Sequence, residues 1–336
     1  MTKEHEAWLA LTLEDPIESG LVICDTHHHL WDRPNDRYLI DDFLKDVGGG
    51  HRIVRTVFIE CRAMYRNSGP EEMRPVGETE FVQEVAEKVA REQRGVAVAA
   101  GIVGYADLTL GARVAPVLEA HVAASKNRFR GIRHITTWDA NPAGIMATQN
   151  APKGLLLEHK FREGFACLHK YGLSFDAWLY YPQLMELVDL ARAFPDTTII
   201  MNHTGGVLGI GPYAGKRDEV LRDWKSGVAA LAACPNVVMK LGGLGMPRTG
   251  FGWYERPAPP TSSELAEAMA PYHHWCIEQF GVNRCMFESN FTVDKISYSY
   301  TVMWNAFKLM TKGFSPRERN SLFHDTAVKV YRLTAK

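Results

Sequence analysis

Three imidazoles stand in a row in "VICDTHHHLWD", Val22 to Asp32, directly after a short apolar run. Strand side chains alternate faces, so Asp25, His27 and His29 are expected on one face, with Thr26 and His28 on the other. Two imidazoles two residues apart on one face can share one ligand. The run lies inside the chain behind a strand-like segment, which separates it from a purification tag.

Other reactive side chains fall at the ends of similar apolar runs. Glu60 and Arg62 follow the second, Arg133 and His134 end the fourth, and Asp176 and Trp178 share one face of the fifth. His203 follows the sixth, Lys240 lies in the seventh, and Glu288 and Asn290 end the eighth. Buried charge is costly unless paired or bound, so packing alone is a poor explanation for this accumulation. Bland readings remain for single members: His134 as a hydrogen-bonded core residue, and Lys240 with Glu288 as a buried ion pair. His273 and His274 fall in a helical pattern and are expected at the surface. Trp31, Trp138, Trp178 and Trp253 suit a flat or ring-shaped substrate, or simple packing.

The elements that must position these groups are repeated βα units. Strand candidates are "LVICD" from Leu21, "VRTVFIE" from Val54, "VAVAAGIV" from Val96, "FRGIRHI" from Phe129, "LSFDAWLY" from Leu173, "TTIIMN" from Thr197, "NVVMKLG" from Asn236 and "RCMFESN" from Arg284. Helical patterns such as "GETEFVQEVAEKVAREQ", "LMELVDLARAF" and "ELAEAMAPYHHWCIEQF" lie between them. Eight such units predict a distorted, TIM-like (β/α)₈ barrel, whose reactive groups gather at the C-terminal strand ends. A doubly wound open sheet is the runner-up, weakened because no G-x-G-x-x-G follows the first strand. No linker divides the chain, so residues 1–20 are read as an N-terminal extension and 21–336 as one barrel domain.

With 38 basic and 39 acidic residues and a net charge of −1, no global field favours nucleic acid or an anionic membrane. A small-molecule partner is expected, with a homo-oligomer left open. The six cysteines form no C-x-x-C pair and are expected reduced. No signal peptide or membrane span is evident in the sequence, and a cytoplasmic location is expected.

The motifs taken together resemble the amidohydrolase superfamily: D-x-H-x-H at Asp25 to His29, G-[IV]-R-H at Gly131 to His134, N-H-x-G-G at Asn202 to Gly206, "MKLGGL" and "MFESNF". Within it they are similar to the amidohydrolase-related proteins that include sugar lactonases and lactonases of aromatic degradation. The resemblance implies a barrel whose first-strand histidines, here His27 and His29, bind a divalent metal or, in some lactonases, position substrate without one. His203 matches the histidine after the sixth strand. Many relatives end the eighth strand in a metal-binding, proton-accepting aspartate, where this chain has Asn290, which cannot ionise. Glu288 lies two residues earlier, and Glu60 is a candidate third ligand beside His27 and His29. Such a set suits zinc or manganese, while metal-independent catalysis stays open.

The expected function is hydrolysis of a lactone or related cyclic ester, carboxylated or drawn from aromatic degradation, by activated water. Glu288 is the expected base, His203 or Lys240 the donor to oxyanion or leaving group, and Asn290 completes the catalytic set. Arg62 and Arg133 would hold a substrate carboxylate, with His134, Asp176 and Trp178 also binding substrate. The alternatives are a metal-dependent decarboxylase or hydratase and a non-catalytic binding barrel.

Overall fold

A computed structural model describes residues 2–125 and 127–333, so the final residues of the expected 21–336 domain lie outside the described residues. All eight strand candidates form strands of one sheet: β1 (Val22–His28), β4 (Arg52–Ile59), β5 (Ala97–Gly104), β6 (Phe129–Ile135), β7 (Ser174–Trp178), β8 (Ile199–Met201), β9 (Val237–Leu241) and β10 (Cys285–Phe287). They pair in parallel and in chain order, giving a nearly closed TIM-like (β/α)₈ barrel in a single domain. Between β1 and β4, a short antiparallel hairpin of β2 (Trp31–Arg33) and β3 (Asp36–Tyr38) caps the end of β1. The sequence reading did not include it.

The seam between β1 and β10 closes without a regular ladder. Thr26 Oγ1 donates to the Phe287 carbonyl at 2.9 Å and His29 N to the Phe291 carbonyl at 2.7 Å. Asp25 carries most of the rest, accepting from Ser289 N (2.9 Å), Ser289 Oγ (2.7 Å) and Tyr300 OH (3.0 Å). The register of β1 shifts between Asp25 and His28, so the strand alternation is broken. Asp25 therefore secures the seam and does not join His27 and His29 as the sequence predicts.

Helices wrap the sheet, among them α1 (Lys3–Leu9), α2 (Ile40–Val47), α3 (Val76–Arg91), α4 (Ala115–Ser125), α5 (His159–Lys170), α6 (Leu184–Ala193), α7 (Arg217–Ala232), α8 (Ser262–Phe280) and α9 (Tyr300–Met310). The helical patterns of the sequence match α3, α6 and α8 closely. α8 starts where a capping box does, with the Glu264 carboxylate accepting from Thr261 N at 2.8 Å. Its buried stripe of Met269, Tyr272, His273, Cys276 and Phe280 follows helical spacing. His273 thus packs against Phe287 and Phe307 and is buried, contrary to the surface position predicted for it, while His274 is exposed.

Inside the barrel, Cys24, Val57, Ile59, Val103, Ile200, Val238 and Met286 fill the lower layer, with Tyr331 and Leu333 beneath them. This apolar plug confines polar side chains to the opposite, C-terminal ends of the strands. All six cysteines are free thiols. Among the described residues, no helix is long and apolar enough to cross a membrane.

Candidate active site

The two histidines of β1 meet above this plug. His29 Nδ1 is 2.8 Å from the Ile59 carbonyl, and His27 Nδ1 is 2.8 Å from Glu288 Oε2. The Ile59 carbonyl is an acceptor, so His29 Nδ1 carries the proton and its Nε2 presents a lone pair, whereas His27 has a cationic donor near each nitrogen, Lys240 Nζ 3.3 Å from Nδ1 and Arg133 NH1 3.3 Å from Nε2. Those two Nε2 atoms face each other at 3.2 Å. Burial first, then the neighbouring cations Lys240 and Arg133, hold both imidazoles well below the usual histidine pKa, so they are neutral. His28 points to the outer side, stacked on Phe43 and 2.9 Å from Thr56 Oγ1.

Glu288 is the second centre. It is wholly buried between two imidazoles: Oε1 accepts from His203 N (2.8 Å) and lies 2.7 Å from His203 Nδ1, while Oε2 faces His27. Burial favours the neutral acid, but His203 and Lys240 outweigh it and hold the carboxyl below its ordinary value. Burial conversely lowers His203, so the pair rests as carboxylate and neutral imidazole. His203 stands at φ 54, and the glycines after β9 allow a close approach here. A Cβ on Gly243 would strike the His203 ring, and one on Gly242 would strike Glu288. Trp178 meets the His203 ring edge-on, 4.5 Å between centroids.

Several expected site residues occupy other places. Lys240 lies 3.0 Å from Asp176 Oδ1, and Asp176 also accepts from Tyr331 OH (2.8 Å) and Asn202 Nδ2 (3.1 Å). Both are fully buried in the floor, so neither reaches a substrate as the sequence suggested. Lys240 is only 4.0 Å from Glu288, making Asp176 its closer ion partner. Glu60, an expected metal ligand, is instead held by Arg133, whose Nε donates to Oε1 at 2.8 Å and whose NH2 donates to the Glu60 carbonyl. His134, next to Arg133 on β6, takes the opposite face, accepting from Leu108 N at 3.3 Å between Tyr105 and Phe161. It is a core histidine, set away from the cluster.

A cavity of about 380 Å³ opens over the C-terminal strand ends, lined by His29, Arg133, Trp178, His203, Arg248 and Asn290, with Arg33, Arg62 and Glu60 also at its wall. Its charge is strongly positive, because four arginines face one carboxylate that Arg133 already engages. Arg248, in the loop after β9, was missed by sequence reasoning. Its NH1 donates to Tyr180 OH at 2.7 Å, its Nε has no partner, and among the described residues no carboxylate pairs with it. A hollow of about 430 Å³ lies near the opposite strand ends, by Arg55, Val96 and Arg130, and holds none of the histidines.

The donor set fits one divalent cation. Two nitrogens bound to a tetrahedral zinc at about 2.0–2.1 Å stand roughly 3.3 Å apart, close to the spacing of the His27 and His29 Nε2 atoms. His29 Nδ1 has the carbonyl partner that metal-bound histidines commonly use, and His27 Nδ1 lies 2.8 Å from the Glu288 carboxylate. His27, His203 and Glu288 also offer ligand atoms within 4.8 Å of one another. Arg133 NH1, 3.3 Å from His27 Nε2, already sets a positive charge beside this position.

Comparison with known proteins agrees with this architecture. The amidohydrolase family model matches residues 24–333, and the chain belongs to that family. It is 36% identical to the uncharacterized protein y4mH of Sinorhizobium fredii, covering 94% of this chain and all of the relative. It is 23% identical to L-fucono-1,5-lactonase of Burkholderia multivorans, over 94% of this chain and 97% of that protein. A zinc-bound amidohydrolase structure from Burkholderia multivorans superposes with a TM-score of 0.70 at 23% identity, covering 93% of this chain and 100% of that one.

Proposed function

We propose that the chain hydrolyses a lactone bearing a carboxylate, with His203 as the proton acceptor and Glu288 as the group that orients it. The observation that carries this reading is the His203–Glu288 pair. Glu288 fixes the Nδ1 proton at 2.7 Å, and the remaining nitrogen, Nε2, belongs to a residue lining the cavity. An ionised carboxylate behind a neutral imidazole is the arrangement that makes histidine an effective base near neutral pH. This reassigns the base expected at Glu288 by one residue contact, since Glu288 itself is sealed from the cavity.

Water attacks the lactone carbonyl, its proton passes to His203 Nε2, and the Arg133 guanidinium faces the developing oxyanion. The ring C–O bond then breaks, and the leaving alkoxide takes the proton back from His203, giving the hydroxy acid. A divalent ion on the Nε2 pair of His27 and His29 would supply Lewis-acid polarisation of the same carbonyl. Trp178 offers a flat wall for the ring, and Arg248 and Arg62 a positive field for the carboxylate. The similarity to an L-fucono-1,5-lactonase supports lactone chemistry. A lyase that protonates carbon needs a resident acid, whereas this pair offers an acceptor.

The test is turnover on a panel of acidic and neutral lactones. Glu288→Gln should lower kcat at least about a hundredfold, the lower scale of general acid-base catalysis, with near-normal folding by circular dichroism. Undiminished turnover in that variant would remove the pair from the mechanism.

A further inference from the structure

Asn290 stands where relatives of the resembled kind carry a charged base, and its surroundings give it a definite orientation. Its Nδ2 donates to Asp294 Oδ1 at 2.7 Å. Asp294 is fully buried, and its other oxygen accepts from Gly245 N (3.0 Å) and Tyr298 OH (2.7 Å). With the amide nitrogen drawn to this carboxylate, the Asn290 carbonyl oxygen is turned the other way. Among the described residues that oxygen makes no hydrogen bond, and it is not a buried orphan atom, while Asn290 lines the cavity. It is a fixed, uncharged acceptor open to the cavity.

His203 Nε2 meets the same description: it has no partner among the described residues, is not a buried orphan, and belongs to a residue lining the same cavity. A water molecule has two protons and needs a free lone pair to attack. We infer that Asn290 Oδ1 holds the attacking water by one proton while His203 Nε2 removes the other, so water positioning and proton acceptance are divided between two residues. The inference rests on the lactone-hydrolase reading. Its chemistry balances: the proton held by Asn290 stays on the incoming oxygen, the other moves to His203, and the new C–O bond forms from the lone pair left free. Asp294 is a positioning residue, acting only through the amide.

The left-handed backbone at Asn290, φ 54, makes glycine the substitution that removes the side chain without backbone strain. Asn290→Gly and the wild type are given an accepted lactone in water with added hydroxylamine, which opens the lactone through nitrogen to a hydroxamic acid. Hydroxylamine also opens free lactone, so hydroxamate and acid formed without enzyme are subtracted; the two nucleophiles then compete for the same bound lactone, and the ratio of enzyme-dependent products is independent of the folded fraction and of substrate affinity. Losing the water's anchor should slow hydrolysis roughly tenfold to a hundredfold, the scale of misplacing a reacting atom, and raise that ratio at least about tenfold. An unchanged ratio, whatever the loss in rate, would show that Asn290 is structural and overturn the inference. A wild type inert to every lactone would overturn the reading beneath it.

Discussion

Lys240 and Arg248 are both basic, both buried in the barrel and both near the cluster, yet they serve different regions. In the floor, Lys240 faces Asp176 at 3.0 Å, and Asp176 Oδ1 also accepts from Tyr331 and Asn202, while its Oδ2 has no partner among the described residues. At the mouth, Arg248 has only a tyrosine hydroxyl, and the cavity beside it contains more arginine than carboxylate. In the floor a buried cation meets a buried carboxylate of the protein; at the mouth arginine outnumbers the carboxylate that could answer it. Buried charge therefore identifies a reactive site poorly by itself, and the unpaired remainder identifies it better.

This contrast is broken most directly in the floor. Lys240→Met leaves Asp176 ionisable and unpaired, which should cost about 3–5 kcal/mol in denaturant unfolding. Lys240→Met with Asp176→Asn should recover much of that loss. If Lys240→Met keeps its stability but loses turnover, the lysine belongs to the mouth.

At the mouth the expected effect is on substrate affinity. Arg248→Met removes a charge-assisted contact worth about 1.5–3 kcal/mol and should raise KM for acidic lactones roughly tenfold to a hundredfold. Neutral lactones and thermal stability should change little. Equal loss on both substrate classes would make Arg248 structural.

A pH-dependent effect lies between the two regions, where Glu78 accepts from Cys61 N (3.0 Å) and Ala63 N (2.9 Å) and so fixes the loop carrying Arg62. Burial, aided by the nearby Glu60 charge, raises Glu78 from 4.5 to about 8. Between those values the folded protein holds a proton that the unfolded chain releases, so this contribution is present at low pH and is lost as pH rises to about 8. Tm should fall by a few degrees across that window, and Glu78→Gln should flatten the slope. An unchanged slope would mean that Glu78 is ionised throughout.

Where apolar runs were bounded by clear turn residues, all eight strands were legible in the sequence, as was the facing of His27 and His29, whereas the partner offered for Glu288 was Lys240 and not His203. Asp25 was misplaced because a register shift cannot be seen in a period-two pattern. Strand alternation did contain the answer for His134, since adjacent Arg133 and His134 must point apart. Helical spacing likewise placed His273 with Tyr272, Cys276 and Phe280. Arg248 lay beyond such rules, because the path of the loop around Gly242 to Gly250 depends on what it packs against. Arg133 claimed Glu60 through a contact 73 positions away in the chain, which no local pattern encodes.

The seam between β1 and β10 also bears on the order of folding. Thr26 and Phe287 are 261 positions apart, and Asp25 and Ser289 are 264, whereas neighbouring strands elsewhere are joined through a single βα crossover. Closing a longer loop costs more chain entropy, so ring closure is favoured only after the intervening units have drawn the two ends together. His27 and Glu288 meet across that seam. Their contact should therefore be among the late events of folding, leaving an incompletely closed chain with βα units already formed but His27 not yet set beside Glu288.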